Sequence, residues 1–291
     1  MFKQLICLLA VGGLMQAVQA AETVLTLRAP ETTNDQRSIY IEKALRLALD
    51  KTIDSHGPYT LKLSDRMNKQ RALLTAARRQ YPNFVVMAGY EEGRQTGGLV
   101  PVRFPILLGA VGYRVCFVSP QAQQAVEGVR TIEQLRRFSI GQGTGWGDVA
   151  VLRANGFQVT EVSAYENLFA MVAKGRVDLF CRSVLEVRHE ALARADQPDL
   201  LLDRSIALVY DLPQFFHMNH KDRAVAQRIE KGLLMAYRDG SLLSQFRDYL
   251  RPSLPYVDLG KRRVFHLEAP PPKGMDFDYR QYDLDLTREK P

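Results

Sequence analysis

The chain has 291 residues, a formal net charge of +7, and 46% hydrophobic and 24% charged residues. That is an ordinary globular composition and excludes bulk disorder. Lys and Arg are scattered through helical patterns instead of forming a tract with interleaved aromatics, which argues against a nucleic-acid partner.

At the N-terminus, Lys3 precedes an apolar run over 5–18 and the small-residue signal Val18-Gln19-Ala20. This reads as a signal peptide over 1–20, cleaved after Ala20. No later stretch reaches the roughly 18 apolar residues that a membrane span needs. Cys7 sits inside the apolar run, so it leaves with the peptide and is not placed for acylation. The mature chain is therefore expected to be free in the periplasm.

Residues 23–28 read as a strand, and Ile41, Ala44, Leu45 and Ala48 take i, i+3, i+4 and i+7 of a helix over 37–52. A strand over 59–63, a helix over 67–80 and an apolar strand over 84–88 follow. After a loop rich in Gly and charge come two extended stretches, 103–108 and 113–118, the second closed by Ser119-Pro120. A fresh series then begins: helix 131–137, strand 138–141, a helix opening near Trp146, strand 159–162, helix 165–174 stopped by Gly175, strand 177–181 and helix 184–194. The chain returns through 206–211 and 214–218 to a long helix over 223–239. The tail from Ala269, with Pro270-Pro271-Pro272, reads as an extended, weakly packed arm.

One α/β series interrupted by another predicts a two-lobed α/β protein with two hinge crossings. Lobe one takes 21–118 plus 214–291, and the inserted lobe two takes 119–213. Cys116 and Cys181 are the mature cysteines, and in an oxidising compartment a pair either bridges or stays buried. With Cys116 in the first hinge strand and Cys181 in lobe two, a bridge would tether the lobes, so two free thiols are expected.

Three segments carry candidate chemistry. Gly141-Gln142-Gly143-Thr144-Gly145-Trp146-Gly147-Asp148 lies between a strand and a helix, where backbone N–H groups at Thr144 and Gly145 form an anion nest and Trp146 a stacking plate. It matches neither the dinucleotide nor the nucleoside-triphosphate fingerprint, so no cofactor is expected. The segment 175–183 ends in Arg182 and Ser183 at a strand edge, with Glu186 one helical turn on as either a ligand contact or an ion-pair partner. The loop Gly89-Tyr90-Glu91-Glu92-Gly93-Arg94 offers an arginine for a carboxylate, with Tyr90 and Glu91 beside it.

The order of elements, the helix-opening Gly-Thr, the Gly-Arg-Val-Asp strand and Ala236-Tyr237-Arg238-Asp239-Gly240-Ser241 resemble the type II periplasmic solute-binding proteins. Asp35-Gln36-Arg37 with Tyr40, Gly112-Tyr113-Arg114-Val115, Gly145-Trp146-Gly147-Asp148 and Phe180-Cys181-Arg182 with Glu186 resemble a poorly characterised branch of that family. The resemblance implies a ligand held between the lobes by Arg94 from lobe one and by Thr144 and Gly145 from lobe two. One position departs: Ser183, preceded by Arg182, stands where amino-acid receptors place an Asp. An α-amino acid would then need Glu91 or Glu186 for its ammonium.

The expected function is thus capture of a small anionic or zwitterionic solute by a monomer and its delivery to an inner-membrane permease. A ligand sensor or assembly partner is the alternative, as is an enzyme on the same fold. Enzymatic chemistry is not expected. Ser183 lacks a nucleophile elbow, His217 and His220 lie three apart on a strand, and the Glu186/His189 step has no second helix to complete a metal site.

Overall fold

The computed structural model describes residues 22–33, 35–90, 97–270, 272, 274–286 and 288. The expected signal peptide lies outside them. In chain order the strands are β1 (Thr23–Leu27), β2 (Tyr59–Leu63), β3 (Phe84–Gly89), β4 (Leu99–Pro101), β5 (Tyr113–Val118), β6 (Ser139–Gly143), β7 (Gln158–Val162), β8 (Leu179–Ser183), β9 (Leu201–Leu202), β10 (Ile206–Val209), β11 (Gln214–Asn219) and β12 (Arg263–His266).

They form two sheets, ordered β2-β1-β3-β11-β4 and β12-β10-β5-β8-β6-β7, with β9 paired to β5. In the first, β1 runs parallel to β2 and β3, while β11 is antiparallel to β3 and β4. In the second, β6 is parallel to β7 and β8, and β5 is antiparallel to β8 and β10. The chain leaves the first sheet between β4 and β5 and returns between β10 and β11. It is a two-lobed α/β protein, one sheet to a lobe.

The helix Ile39–Asp50 packs on the helix Arg223–Arg238, and the apolar spacing of both decides the contact. Leu45, Leu49, Ile229 and Leu233 have no exposed surface. Each such side chain stabilises the fold by about 1.5–3 kcal/mol relative to an exposed one. Tyr40, on the same helix face, edges against Phe246 at 5.1 Å.

Two segments join a different sheet from the one the sequence suggests. Residues 113–118, assigned to lobe one, form the central strand of the second sheet. Val115, Cys116, Phe117 and Val118 are buried because β5 is covered on both faces and paired with β8, β9 and β10. Residues 263–266, also assigned to lobe one, add to the far edge of that sheet as β12, parallel to β10. This strand is only four residues long, and the basic run Lys261-Arg262-Arg263 hides its alternation.

The cysteines are a second correction: Cys116 and Cys181 form a disulfide. They face each other directly across the antiparallel β5–β8 pair, in Cα register. Free thiols are expected only where the two residues sit in different lobes, and here they do not. Once β5 belongs to the second sheet, the bridge staples neighbouring strands and leaves the hinge untouched.

Candidate functional site

In both lobes the carboxyl ends of parallel strands, and the starts of the antiparallel ones, converge on one cleft, the usual ligand position in open α/β sheets. Leu27 leads into Arg28 and Glu31 on one side; Gly143 leads into Trp146 and Ser183 into Glu186 on the other. A cavity of about 100 Å³ lies between them, lined by the basic residues Arg28, Arg37, Lys69, Arg114 and Arg182 and the acidic residues Glu31, Asp35, Asp148 and Glu186.

On the lobe-one wall, Asp35 accepts two hydrogen bonds from the Arg37 guanidinium, at 2.7 and 2.8 Å, and further ones from the backbone N–H groups of Glu31 and Arg37. Glu31 pairs with Arg28 at 2.5 Å and Arg37 at 3.2 Å. Burial alone would raise the Asp35 pKa, but the hydrogen bonds and charge of Arg37, with the two backbone donors, hold it down at about 2. A depressed carboxylate stabilises the fold above its unfolded value near 3.9, and that contribution is lost as pH falls through the folded value. Acid unfolding should therefore show a loss of about 2 kcal/mol between roughly pH 4 and pH 2. In Asp35→Asn that part of the pH dependence should vanish; a variant with the wild-type acid profile would show that Asp35 contributes nothing to it.

The lobe-two wall is built on buried charge. Arg182, on β8, is 2% exposed and directs its fork at Glu190, 5% exposed, with contacts of 2.8–3.0 Å. It also pairs with Glu186 at 2.8 Å, and the Tyr165 hydroxyl donates to Glu190 at 2.6 Å. Burial would lower the Arg182 pKa, but Glu186 and Glu190 reverse that and raise it. Burial would raise the Glu190 pKa, but the Arg182 charge and the bonds from Arg182 and Tyr165 lower it. Beside this cluster Arg114, at the start of β5, pairs with Asp148 at 2.7 Å, and Asp148 accepts from the Tyr210 hydroxyl at 2.7 Å. Burial and the Asp148 charge push the Tyr210 hydroxyl well up.

The lobes touch over the cleft. The Arg37 guanidinium lies 4.0 Å from the centre of the Tyr165 ring, and the Thr32 hydroxyl donates to Glu166 at 3.2 Å. Trp146 lies over Arg182 at 4.7 Å. Gly143 lets the indole settle there, since a Cβ at that position would come within 2.2 Å of the ring.

Solved structures with this arrangement are distant in sequence. An ancestral arginine-binding protein bound to arginine superposes with a TM-score of 0.55 at 13% identity, over 78% of this chain and 97% of that one. A TRAP periplasmic solute binding protein from Desulfovibrio salexigens, in complex with diglycerolphosphate, gives 0.56 at 11% identity, over 84% and 86%. The BvgS VFT2 domain of Bordetella pertussis gives 0.55 at 13% identity, over 78% and 93%. The fold is that of the type II periplasmic binding proteins. The chain matches no protein-family model and no curated protein.

Within this type II fold, Trp146, Arg182 and Glu186 line the cavity. Arg182 is nevertheless no free anion receptor, because Glu186 and Glu190 already hold its charge. Ser183 is buried and its hydroxyl accepts from the Leu185 N–H at 3.2 Å. The nest at Thr144 and Gly145 does not form: the helix starts at Gly147, and the Thr144 N–H donates to the Val162 carbonyl of β7 at 3.1 Å. Thr144 stays at the rim, in a small niche with Lys69 and Trp146, and Gly145 is exposed. The Tyr90 hydroxyl donates to the Gly274 carbonyl at 2.7 Å, away from the cavity. Glu91 and Arg94 lie outside the described residues.

The cleft also contains residues that the candidate-site reading left out. Arg28, Glu31, Lys69 and Glu190 carried no motif. Asp35, Arg37, Arg114 and Asp148 stood within the quoted family segments without an assigned role. The available signal was Arg114, a charge inside a strand otherwise apolar on both faces.

Proposed function

We propose that the protein binds a small polar, carboxylate-bearing solute between its lobes in the periplasm and hands it to an inner-membrane permease, without catalysing a reaction. The observation that carries the reading is Arg114. It lines the cavity, is 2% exposed, and its Nε atom is buried without a hydrogen-bond partner. A buried donor without an acceptor costs about 1–3 kcal/mol. A ligand oxygen would recover that cost, and a carboxylate suits the guanidinium best. The five basic side chains of the cavity, Arg114 included, and its four acidic ones favour an anionic or zwitterionic solute over a neutral one. The similar folds that hold arginine and diglycerolphosphate agree with a small polar ligand.

A thermal-shift screen against carboxylic acids, amino acids and neutral sugars tests this. A ligand at a hundred times its Kd should add about 2.7 kcal/mol of stability. Trp146, the single tryptophan, should report the same ligand by a change in fluorescence. Arg114→Lys keeps the charge beside Asp148 but removes the Nε donor, and should weaken binding by about tenfold or more. Equal stabilisation by sugars, or undiminished affinity in Arg114→Lys, would overturn the reading.

A further inference from the structure

The chain beyond β10 and β11 departs from a two-crossing hinge. After the helix Ser241–Leu250 of lobe one it crosses a third time to add β12 to the lobe-two sheet, where the Leu267 N–H donates to the Val209 carbonyl at 2.9 Å. It then comes back. Phe277 and Tyr279 edge onto Phe215 of β11 at 5.5 and 6.1 Å, and Tyr282 packs on Phe104 at 4.7 Å and Tyr237 at 5.0 Å, all on lobe one.

Between these anchors the same short stretch grips both hinge segments. The Tyr279 hydroxyl and the Arg280 guanidinium donate to the Asp211 carboxylate, the latter at 3.1 Å, and Asp211 lies in the return crossing between β10 and β11. The Leu284 N–H donates at 2.9 Å to the carbonyl of Leu108, in the outgoing crossing between β4 and β5. Asp283 rests on the neighbouring Gly109, whose φ of +77° suits glycine and whose absent Cβ would lie 2.9 Å from the Asp283 carboxyl.

A hinge works by changing φ and ψ in a few connecting residues. Here those residues are bonded to a third segment that is itself fastened to both lobes. We propose that β12 and residues 274–286 form a strap across the hinge that limits how far the lobes can open. The inference does not depend on the identity of the ligand, because it concerns the range of motion alone.

The test is an interlobe distance distribution by pulsed electron resonance on the full chain, with spin labels at Lys62→Cys and Gln158→Cys. Both sites are exposed, one on each sheet's outer strand; Cys116 and Cys181 are protected in their disulfide, and Cys7 is replaced by serine. With the strap intact the distribution should be narrow. Tyr279→Phe with Arg280→Gln should broaden it and shift it to longer distance. If that pair of changes prevents folding, judged by circular dichroism, Asp211→Asn removes the shared acceptor charge while keeping its shape and is measured instead. A wild-type distribution in either folded variant would overturn the proposal, and so would an already broad distribution in the parent.

Discussion

Replacing Arg182 with methionine should destabilise the protein by about 3–5 kcal/mol, because it leaves Glu190 buried beside Tyr165 without the cation that hydrogen-bonds it. The geometry sets the size of the effect. Glu190 is 5% exposed, and its two oxygens are taken by the Arg182 fork and the Tyr165 hydroxyl. Lysine at 182 would restore a charge but not the planar fork, so Arg182→Lys should fall between wild type and Arg182→Met. Removing both charges, as Arg182→Met with Glu190→Leu, should recover much of the loss, since a buried pair costs desolvation on each side. Urea unfolding of the three variants measures this. A loss below about 1 kcal/mol in Arg182→Met would mean that the pair is screened by water, as exposed ion pairs are.

Loss of the Cys116–Cys181 bridge should cost about 4 kcal/mol, the chain-entropy value for a closed loop spanning the observed separation of 65 residues. The loss should fall on lobe two alone, since both cysteines belong to its sheet. Unfolding of Cys116→Ala with Cys181→Ala should then separate into two steps, with the lower one belonging to that lobe. Ligand affinity below the first transition should be unchanged, because the staple joins adjacent strands and not the two lobes. An affinity change without unfolding would show that the bridge acts on the cleft. A single unshifted transition would show that it adds no stability.

Local rules carried the fold and part of the site. Apolar spacing placed the helix bearing Ile41, Ala44, Leu45 and Ala48, and the glycine at 175 ended the next lobe's helix with φ +65°, as a left-handed cap requires. The interrupted α/β series was legible as two lobes, because strand ends and helix starts are written in nearby residues; the same ends put forward Trp146, Arg182 and Glu186, which line the cavity. Arg182 and Glu186 do pair, one of the two roles the sequence left open for Glu186, but from the end of β8 to the start of the next helix and not along one helix face.

What pairs across sequence was not legible. The sheet to which β5 belongs depends on partners at β8, β9 and β10, far along the chain, so the cysteine bridge was misjudged together with it. Thr144 was offered as an anion donor, but β7 had already taken its N–H. Asp35, Arg37, Arg114 and Glu190 became a cleft only when strands from two sheets brought them together, where low exposure makes each charge depend on its partner. The Pro-rich tail read as a loose arm because composition is averaged over a segment. Its three aromatic anchors, Phe277, Tyr279 and Tyr282, acquire their partners only from the folded lobe that they strap.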